Sequence, residues 1–211
     1  MSTVVALRAA KRRAPTPENR KVPPKRPRNA DLRPREYLTP DEVERLIAQA
    51  GSVGRHGARD AALLMLAYRH GLRVSELVAM RWDMVDLRQG LLHVQRLKNG
   101  IASVHPLRGP ELRVLRRLAR DYPETSYVFV TERKGPLTAH TVRKLVARAG
   151  KAARLPFPVH PHMLRHACGF KLANDGQDTR AIQHYLGHKN IQHTVRYTEL
   201  SPTRFKDFWR D

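Results

Sequence analysis

Residues 160–169 have the sequence HPHMLRHACG, and they lie within a stretch that we predict to be a helix from Pro161 to Asn174. His162 and Arg165 are three positions apart on this helix, so both side chains project from the same face. A hydrophobic core has no need of this histidine and arginine. The segment therefore indicates a functional site on a helix of a folded domain.

Other polar residues that a core does not need occur where the chain turns. Arg73 follows soon after Gly71, which breaks a predicted buried helix, and Lys98 lies between two predicted strands. His188 follows the end of another predicted helix, and Tyr197 comes nine residues later. Together with the first pair, these side chains are the set needed to attack a phosphodiester without a metal. Arginines hold the non-bridging oxygens, a lysine can protonate the leaving oxygen, and a tyrosine hydroxyl can be the nucleophile.

The remaining sequence predicts a mainly α fold with a small antiparallel β-sheet, an α+β class. Thr39 and Glu42 form a capping box with Pro40 at the first helical position, so the folded domain begins there. An Asn-Gly pair at 99–100 between apolar runs is typical of a hairpin. Strands are predicted at 91–94, 101–107 and 127–130, and helices at 59–69, 75–80, from Pro110 onward, and at 138–153, 161–174, 179–186, 194–199 and 203–209.

The charge balance restricts the partners of the chain. The 211 residues include 40 Lys or Arg and 19 Asp or Glu, a formal net charge of +21, which demands a polyanionic partner. The longest apolar run, 61–68, falls well short of the roughly 20 residues that cross a bilayer, so no membrane partner is expected. The single cysteine, Cys168, and the lack of a secretory signal predict a reducing, cytoplasmic compartment.

Residues 1–35 differ in composition from the rest of the chain. They hold eleven basic residues against two acidic ones, a net charge of +9, and six of the 15 prolines. Such a segment cannot bury enough apolar surface to offset the entropy of ordering, so we interpret it as a disordered basic arm ahead of a folded domain at 36–211. A solubilising tail is the alternative interpretation. The arm cations expected to bind the polyanion are Arg8, Lys11, Arg12, Arg13, Lys25, Arg26 and Arg28.

The motifs together resemble those of the tyrosine site-specific recombinases and keep that family's order. They are GLRVSEL at 71–77, Lys98 in the hairpin, HMLRH at 162–166, LGH at 186–188 and YT at 197–198. The resemblance covers residues 38 to about 200. Within the family, the likeness is strongest to the short invertases of the fimbrial phase switch. It is carried by YRHG at 68–71, RLKNG at 96–100, VHPL at 104–107, HPHMLRHACG at 160–169 and TVRYT at 194–198.

This resemblance implies DNA strand exchange that needs neither a cofactor nor a metal. Tyr197 is implied to attack the scissile phosphate and form a 3′-phosphotyrosyl link, while Lys98 protonates the leaving 5′-oxygen and His162 takes the tyrosine proton. The other implied roles are transition-state stabilisation by Arg73, Arg165 and His188, with Glu76 as the supporting acid that orients them.

The resemblance also implies double-stranded DNA as the partner and a homotetramer in the synapse of two DNA sites. Typical family members carry a separate N-terminal helical domain, whereas here only the basic arm precedes Thr39. Residues 36–211 are therefore expected to be a catalytic domain without that core-binding domain. Near the end of the chain, Phe205, Phe208 and Trp209 form an apolar stripe that either packs on its own domain or docks into a neighbour.

Three other functions stay open at this point. A catalytically silent DNA-binding regulator with the same fold would lack a catalytic residue, and none is missing. A type IB topoisomerase-like enzyme, which nicks and closes DNA, uses the same kinds of side chain. A metal-dependent hydrolase would use His162 with His166, or His184 with His188, as zinc ligands. Arg165 between the first two would repel a cation, so no metal site is expected.

Overall fold

The structure, a computed structural model, describes residues 35–96 and 100–199. Lys98 and the predicted helix at 203–209 lie outside these residues. So do residues 1–34 of the predicted arm, with every arm cation named above.

The described residues form eight α-helices and three short strands. The helices are α1 (Pro40–Ser52), α2 (Gly57–Arg69), α3 (Val74–Val78), α4 (Gly109–Asp121), α5 (Ala139–Ala152), α6 (Pro161–Asn174), α7 (Thr179–Leu186) and α8 (Gln192–Glu199). The strands β1 (Val85–Asp86), β2 (Leu91–Val94) and β3 (Ser103–Pro106) make one antiparallel sheet in the order β1-β2-β3. The predicted fold class, mainly α with a small antiparallel sheet, is confirmed.

The beginning of α1 follows from the predicted capping box. Thr39 Oγ1 accepts a hydrogen bond from the backbone N of Glu42 at 3.4 Å, and the Glu42 carboxylate accepts one from the backbone N of Thr39 at 2.9 Å. Both donors belong to a helix N-terminus, where backbone N–H groups have no partner within the helix. The helix α1 therefore begins where the sequence predicts it.

Two glycines end the helices that precede the polar turns. Gly71 follows α2 with φ +56°, and a Cβ on this residue would lie 2.3 Å from a Leu186 methyl. Gly187 follows α7 with φ +65°. Because left-handed backbone and close packing both favour glycine, the chain turns sharply at each point. These turns place Arg73 and His188 just beyond two helix ends.

The β2–β3 hairpin has a longer connection than the sequence predicts. Val94 pairs with Ser103, so the strand predicted at 101–107 begins at Ser103, and residues 95–102 connect the two strands. The pairing itself is antiparallel, as expected for a hairpin.

The prediction of a strand at 127–130 is wrong. Val128 N donates to Met80 O at 3.0 Å, whereas Phe129 O accepts from Leu137 N at 3.1 Å, so successive residues bond to different segments. Only isolated bridges result. The run is apolar because it crosses the core, and a short buried segment has the same hydrophobic pattern as a buried strand. The third strand of the sheet is the two-residue β1, which the sequence analysis missed.

The hydrophobic core has two parts. The main cluster lies largely between α1, α2, α5 and α6, and a smaller cluster joins Cys168, Ile182, Leu186 and Tyr197 at one end of α6. The smaller cluster packs α7 and α8 against the helix that carries Arg165. Within residues 35–96 and 100–199, no helix combines the length and apolar character needed to cross a membrane.

Candidate active site

Arg73 and Glu76 are joined at the start of α3. Arg73 donates to the Glu76 carboxylate from its backbone N and from Nη1, each at 2.8 Å. The Glu76 side chain is buried, whereas the Arg73 side chain keeps 28% of its surface exposed. The carboxylate therefore fixes the arginine while leaving it accessible to a ligand.

Arg165, on α6, connects the turns that carry Arg73 and His188. Its guanidinium donates hydrogen bonds to Gly71 O and, at 2.7 Å, to Leu186 O. The residue is almost fully buried. Burial lowers the pKa of Arg165 to about 10, with neighbouring arginines adding to the effect. The side chain therefore remains a cation at neutral pH and supplies positive charge between the two turns.

His188 is held firmly after the Gly187 turn. Its Nδ1 lies 2.8 Å from Thr194 Oγ1, and its backbone carbonyl accepts a hydrogen bond from Gln183 Nε2 at 3.0 Å. Burial, followed by the charge of Arg165, lowers the pKa of His188 to about 3. The imidazole is therefore neutral near pH 7 and is fixed through Nδ1.

Tyr197, on α8, is buried beside these groups with 1% of its surface exposed. Its ring stacks near the His188 ring, with centroids 6.3 Å apart, and meets Phe170 edge-on at 5.1 Å. A Cβ on Gly169 would lie 2.6 Å from the tyrosine ring, so glycine at this position makes room for it. The phenolic oxygen lies 2.9 Å from His166 Nδ1.

The structure brings His166, not His162, to the tyrosine hydroxyl. The His162 ring lies beyond His166, edge-on to it at 4.6 Å. Burial is the main cause that lowers the pKa of His162 to about 4 and of His166 to about 3. Arg196 Nη2 lies 3.0 Å from His166 Nδ1 and 3.5 Å from the Tyr197 hydroxyl. Sequence reasoning missed His166 and Arg196 as site residues, although both stand next to assigned ones.

His162 and His166, the zinc ligands of the metal-dependent alternative, are engaged in other contacts. His166 Nδ1 is occupied by contacts with Tyr197 and Arg196, and the His162 ring meets it edge-on. Across the described ranges 35–96 and 100–199, no three His, Cys, Asp or Glu side chains gather as a metal site.

The described site therefore joins four of the six residues assigned by sequence into one cluster. The charge of Arg73 acts on both Arg165 and His188, and the His188 ring stacks near Tyr197. His162 lies one ring further away. Lys98 lies outside the described residues. Its neighbour Arg96 is described and donates to Glu76 Oε2 at 2.8 Å, so one carboxylate binds two arginines.

Comparison with known proteins shows the family of the chain. Residues 36–204 match the model of the phage integrase family. The chain belongs to the phage integrase family. It is a tyrosine recombinase, an enzyme of site-specific DNA recombination. The type 1 fimbriae regulatory protein FimE of Escherichia coli strain K12 is 44% identical over 181 residues, which cover 83% of this chain and 91% of that protein.

Solved structures of the phage integrase family share the fold. The crystal structure of XerA recombinase superposes with a TM-score of 0.69 at 28% identity, over 82% of this chain and 63% of that one. A lambda integrase dimer bound to a COC′ core site gives a TM-score of 0.62 at 26% identity, over 74% of this chain and 59% of that one. The chain thus spans less than two thirds of these solved chains. The resemblance to tyrosine recombinases, and within them to the fimbrial phase-switch invertases, is confirmed.

Proposed function

We propose that this recombinase exchanges DNA strands through a covalent bond between Tyr197 and a 3′-phosphate. The observation that carries the proposal is that His188 stacks near the tyrosine ring while the charges of Arg73 and Arg165 both act on His188. Guanidinium groups bind phosphate oxygens through paired hydrogen bonds, and fixed positive charge stabilises the pentacoordinate transition state. This arrangement supplies both, next to a side chain that can act as a nucleophile.

In the cleavage step, Tyr197 Oη forms a bond to the scissile phosphorus while the bond from phosphorus to the 5′-oxygen breaks. The phenolic proton passes to a histidine, and the leaving 5′-oxygen takes a proton from Lys98. The phosphotyrosine keeps the energy of the original bond. A 5′-hydroxyl of the partner strand then attacks the phosphorus and releases the tyrosine, so rejoining needs no ATP.

We assign the acceptance of the tyrosine proton to His166 instead of His162. The support is the 2.9 Å distance between His166 Nδ1 and the phenolic oxygen. A neutral imidazole has a lone pair with which to accept the proton. A bound phosphate brings negative charge, which raises the pKa of a nearby imidazole towards the range in which general bases work. The charge of Arg196 at 3.5 Å from the hydroxyl favours the phenolate.

Double-stranded DNA is the partner that the charge of the chain supports. A formal net charge of +21 suits a polyanion, and the lambda integrase of similar fold is a dimer on its core site. The proposal includes a homotetramer that holds two DNA sites. It also includes contacts from the basic arm at 1–35 to DNA phosphates, with 36–211 as the catalytic domain.

The outcome of strand exchange in the cell is inversion of a DNA segment, or integration and excision of a mobile element. Two sites in inverted orientation give inversion, and two in direct orientation give excision. The reaction belongs in the cytoplasm, a compartment that also suits the single, buried Cys168.

The test is to map the covalent junction. The protein is incubated with genomic DNA from its source cells, the mixture is denatured, and the DNA bound covalently to protein is recovered and sequenced. Mass spectrometry of the peptides should place a 3′-phosphoryl nucleotide on Tyr197, with 5′-hydroxyl ends on the released strands. An adduct on another residue, or 5′-phosphate ends, would contradict the proposal. The orientation of the mapped sites distinguishes inversion from excision.

A further inference from the structure

The segment that carries Lys98 begins at an arginine that cannot serve as a surface cation. The Arg96 side chain has no exposed surface. Its Nη1 donates to Glu76 Oε2 at 2.8 Å, and its Nη2 donates to Tyr185 O at 2.5 Å. A buried guanidinium is costly unless it is paired, so these contacts fix the residue strongly. Both terminal nitrogens are bonded within the protein, and Arg96 is therefore unsuited to binding a DNA phosphate.

Two glycines make room for the Arg96 side chain. A Cβ on Gly100 would lie 2.6 Å from Arg96 Cβ and 3.0 Å from Gly187 O. A Cβ on Gly187 would lie 2.7 Å from Arg96 Nε. Arg96 thus lies between Gly100 and the Gly187 turn, which leads to His188. The two described residues that flank positions 97–99 both lie beside that turn.

Tyr185, whose carbonyl accepts the hydrogen bond from Arg96, is itself held in place. The Tyr185 hydroxyl donates to Arg69 O at 2.9 Å, and its ring stacks on His105 of β3 with centroids 3.9 Å apart. These contacts join α7 to the second strand of the hairpin. The arginine is therefore held by a rigid part of the fold.

Loss of Arg96 would leave Arg73 in place. Glu76 keeps two hydrogen bonds from Arg73, one from the backbone and one from the guanidinium, without any contribution from Arg96. The contact that would disappear is the one between the lysine segment and the rest of the site.

We propose that Arg96, fixed beside the His188 turn two residues before Lys98, is a positioning residue for the step in which Lys98 protonates the leaving oxygen. The inference rests on the proposed acid role of Lys98. Arg96 acts through the segment it anchors and does not touch the DNA.

The experiment compares two duplexes that carry the mapped cleavage site. One has the ordinary 5′-oxygen at the scissile bond, and the other has sulfur there, which leaves as a thiolate without needing a proton. Four variants are measured with the wild type: Lys98→Ala, Arg96→Met, Gly100→Ala and Arg59→Met. Arg59 is the matched control, because it is also a buried arginine, held by Asp60 at 2.7 Å and by Val130 O at 2.7 Å.

Arg96→Met should slow cleavage of ordinary DNA by about 100-fold, the effect of misplacing a catalytic group by about 1 Å. On the sulfur duplex, its rate should return to within about threefold of the wild type, as for Lys98→Ala. Gly100→Ala keeps the charge but displaces Arg96, and it should show the same rescue. It provides the test if Arg96→Met melts below the assay temperature. Arg59→Met should lower the melting temperature and leave the ratio of the two rates unchanged.

Equal slowing of Arg96→Met and Gly100→Ala on both duplexes, with Lys98→Ala rescued, would overturn the inference and leave the acid role of Lys98 intact. If sulfur does not rescue Lys98→Ala, the acid role itself is wrong, and the positioning role of Arg96 is overturned with it.

Discussion

The arginine cluster and the proposed nucleophile, Tyr197, lie side by side but are held in different ways. In the arginine cluster, defined as Arg73, Arg96 and Arg165, every guanidinium is bound by a carboxylate or by backbone carbonyls. Tyr197 instead lies in the smaller hydrophobic cluster, where its hydroxyl contacts His166 and its ring packs against neighbours from α6.

The difference separates two tasks of the site. Buried arginines are stable only when paired, so Arg96 and Arg165 are fixed before DNA arrives. Arg73 is fixed by Glu76, so the proposed phosphate-binding groups, Arg73 and Arg165, need little reorganisation. The proposed nucleophile must form a bond to phosphorus and later leave it. The hydroxyl and ring contacts of Tyr197, on an eight-residue helix, can be given up at modest cost. Substitutions in the cluster should thus change stability and activity together, whereas removal of the tyrosine hydroxyl should abolish activity at a small cost in stability.

The largest effect is expected for Tyr197→Phe, which should abolish the covalent adduct. The ring stays and keeps its packing, but the attacking oxygen is gone. One lost hydrogen bond should cost about 1 kcal/mol of unfolding free energy, and DNA affinity should remain close to that of the wild type. Gel analysis of denatured protein–DNA mixtures measures the adduct, and a filter-binding titration measures affinity. A trapped adduct in the Phe variant would contradict the role of Tyr197.

The second largest effect is expected for Arg165→Met, which should lower both the cleavage rate and the stability of the fold. Cleavage should fall by more than about 100-fold because transition-state charge loses a fixed cation. The carbonyls of Gly71 and Leu186 would lose their donor, so the free energy of unfolding should fall by about 3 kcal/mol. Urea denaturation measures this loss, with Arg59→Met as a control that should lose stability but keep its cleavage rate. A stable, inactive Arg165→Met would show that the arginine cluster is held no more tightly than the tyrosine.

A smaller effect should distinguish the two histidines of α6. His166→Ala removes the group at 2.9 Å from the tyrosine hydroxyl, and we expect a loss of cleavage of about 100-fold, as for other general bases. His162→Ala, which leaves that contact in place, should lose less. Single-turnover cleavage at saturating protein measures both. The reverse order would restore His162 to the role that the family resemblance implies for it.

This last pair shows where sequence reasoning reaches its limit. Local signals predict the helix ends well, because Thr39, Gly71 and Gly187 act on the few residues around them. His162 and His166 are separated by one helical turn of about 5.4 Å, so both lie on the same face of α6. Which of them meets Tyr197 depends on how α8 packs on α6, a contact between segments about 30 residues apart.

The Arg96 contacts are hidden from sequence for the same reason. A single arginine in a chain with 40 basic residues is expected at the surface, and nothing local shows that it is buried. Its partners Glu76 and Tyr185 come from two other parts of the chain. The motif order therefore predicts the chemistry of the site, whereas the contacts that hold each group in place require the fold.

The last prediction concerns the stability of the protein in acid, which depends on the histidines around the site. Burial is the largest cause that lowers the pKa of His105, His166 and His188 to about 3. In the unfolded chain, these groups bind a proton near pH 6.5. Below that pH the unfolded state therefore binds more protons than the folded state, and stability falls as pH falls, by up to about 1.4 kcal/mol per pH unit for each histidine. The loss continues until the folded-state pKa is reached.

Urea denaturation between pH 6.5 and 5 measures this slope in a window above the ordinary pKa of carboxylates. His105 allows the slope to be altered without touching the nucleophile, because it lies on β3 and contacts His70 and Ser103. His105→Asn should lower stability at pH 7, where its hydrogen bonds are lost, and should make the slope shallower by about one proton. Stability that stays constant or rises from pH 6.5 to 5 would show that these histidines are solvated in the folded protein. The tight packing inferred for both regions would then be wrong.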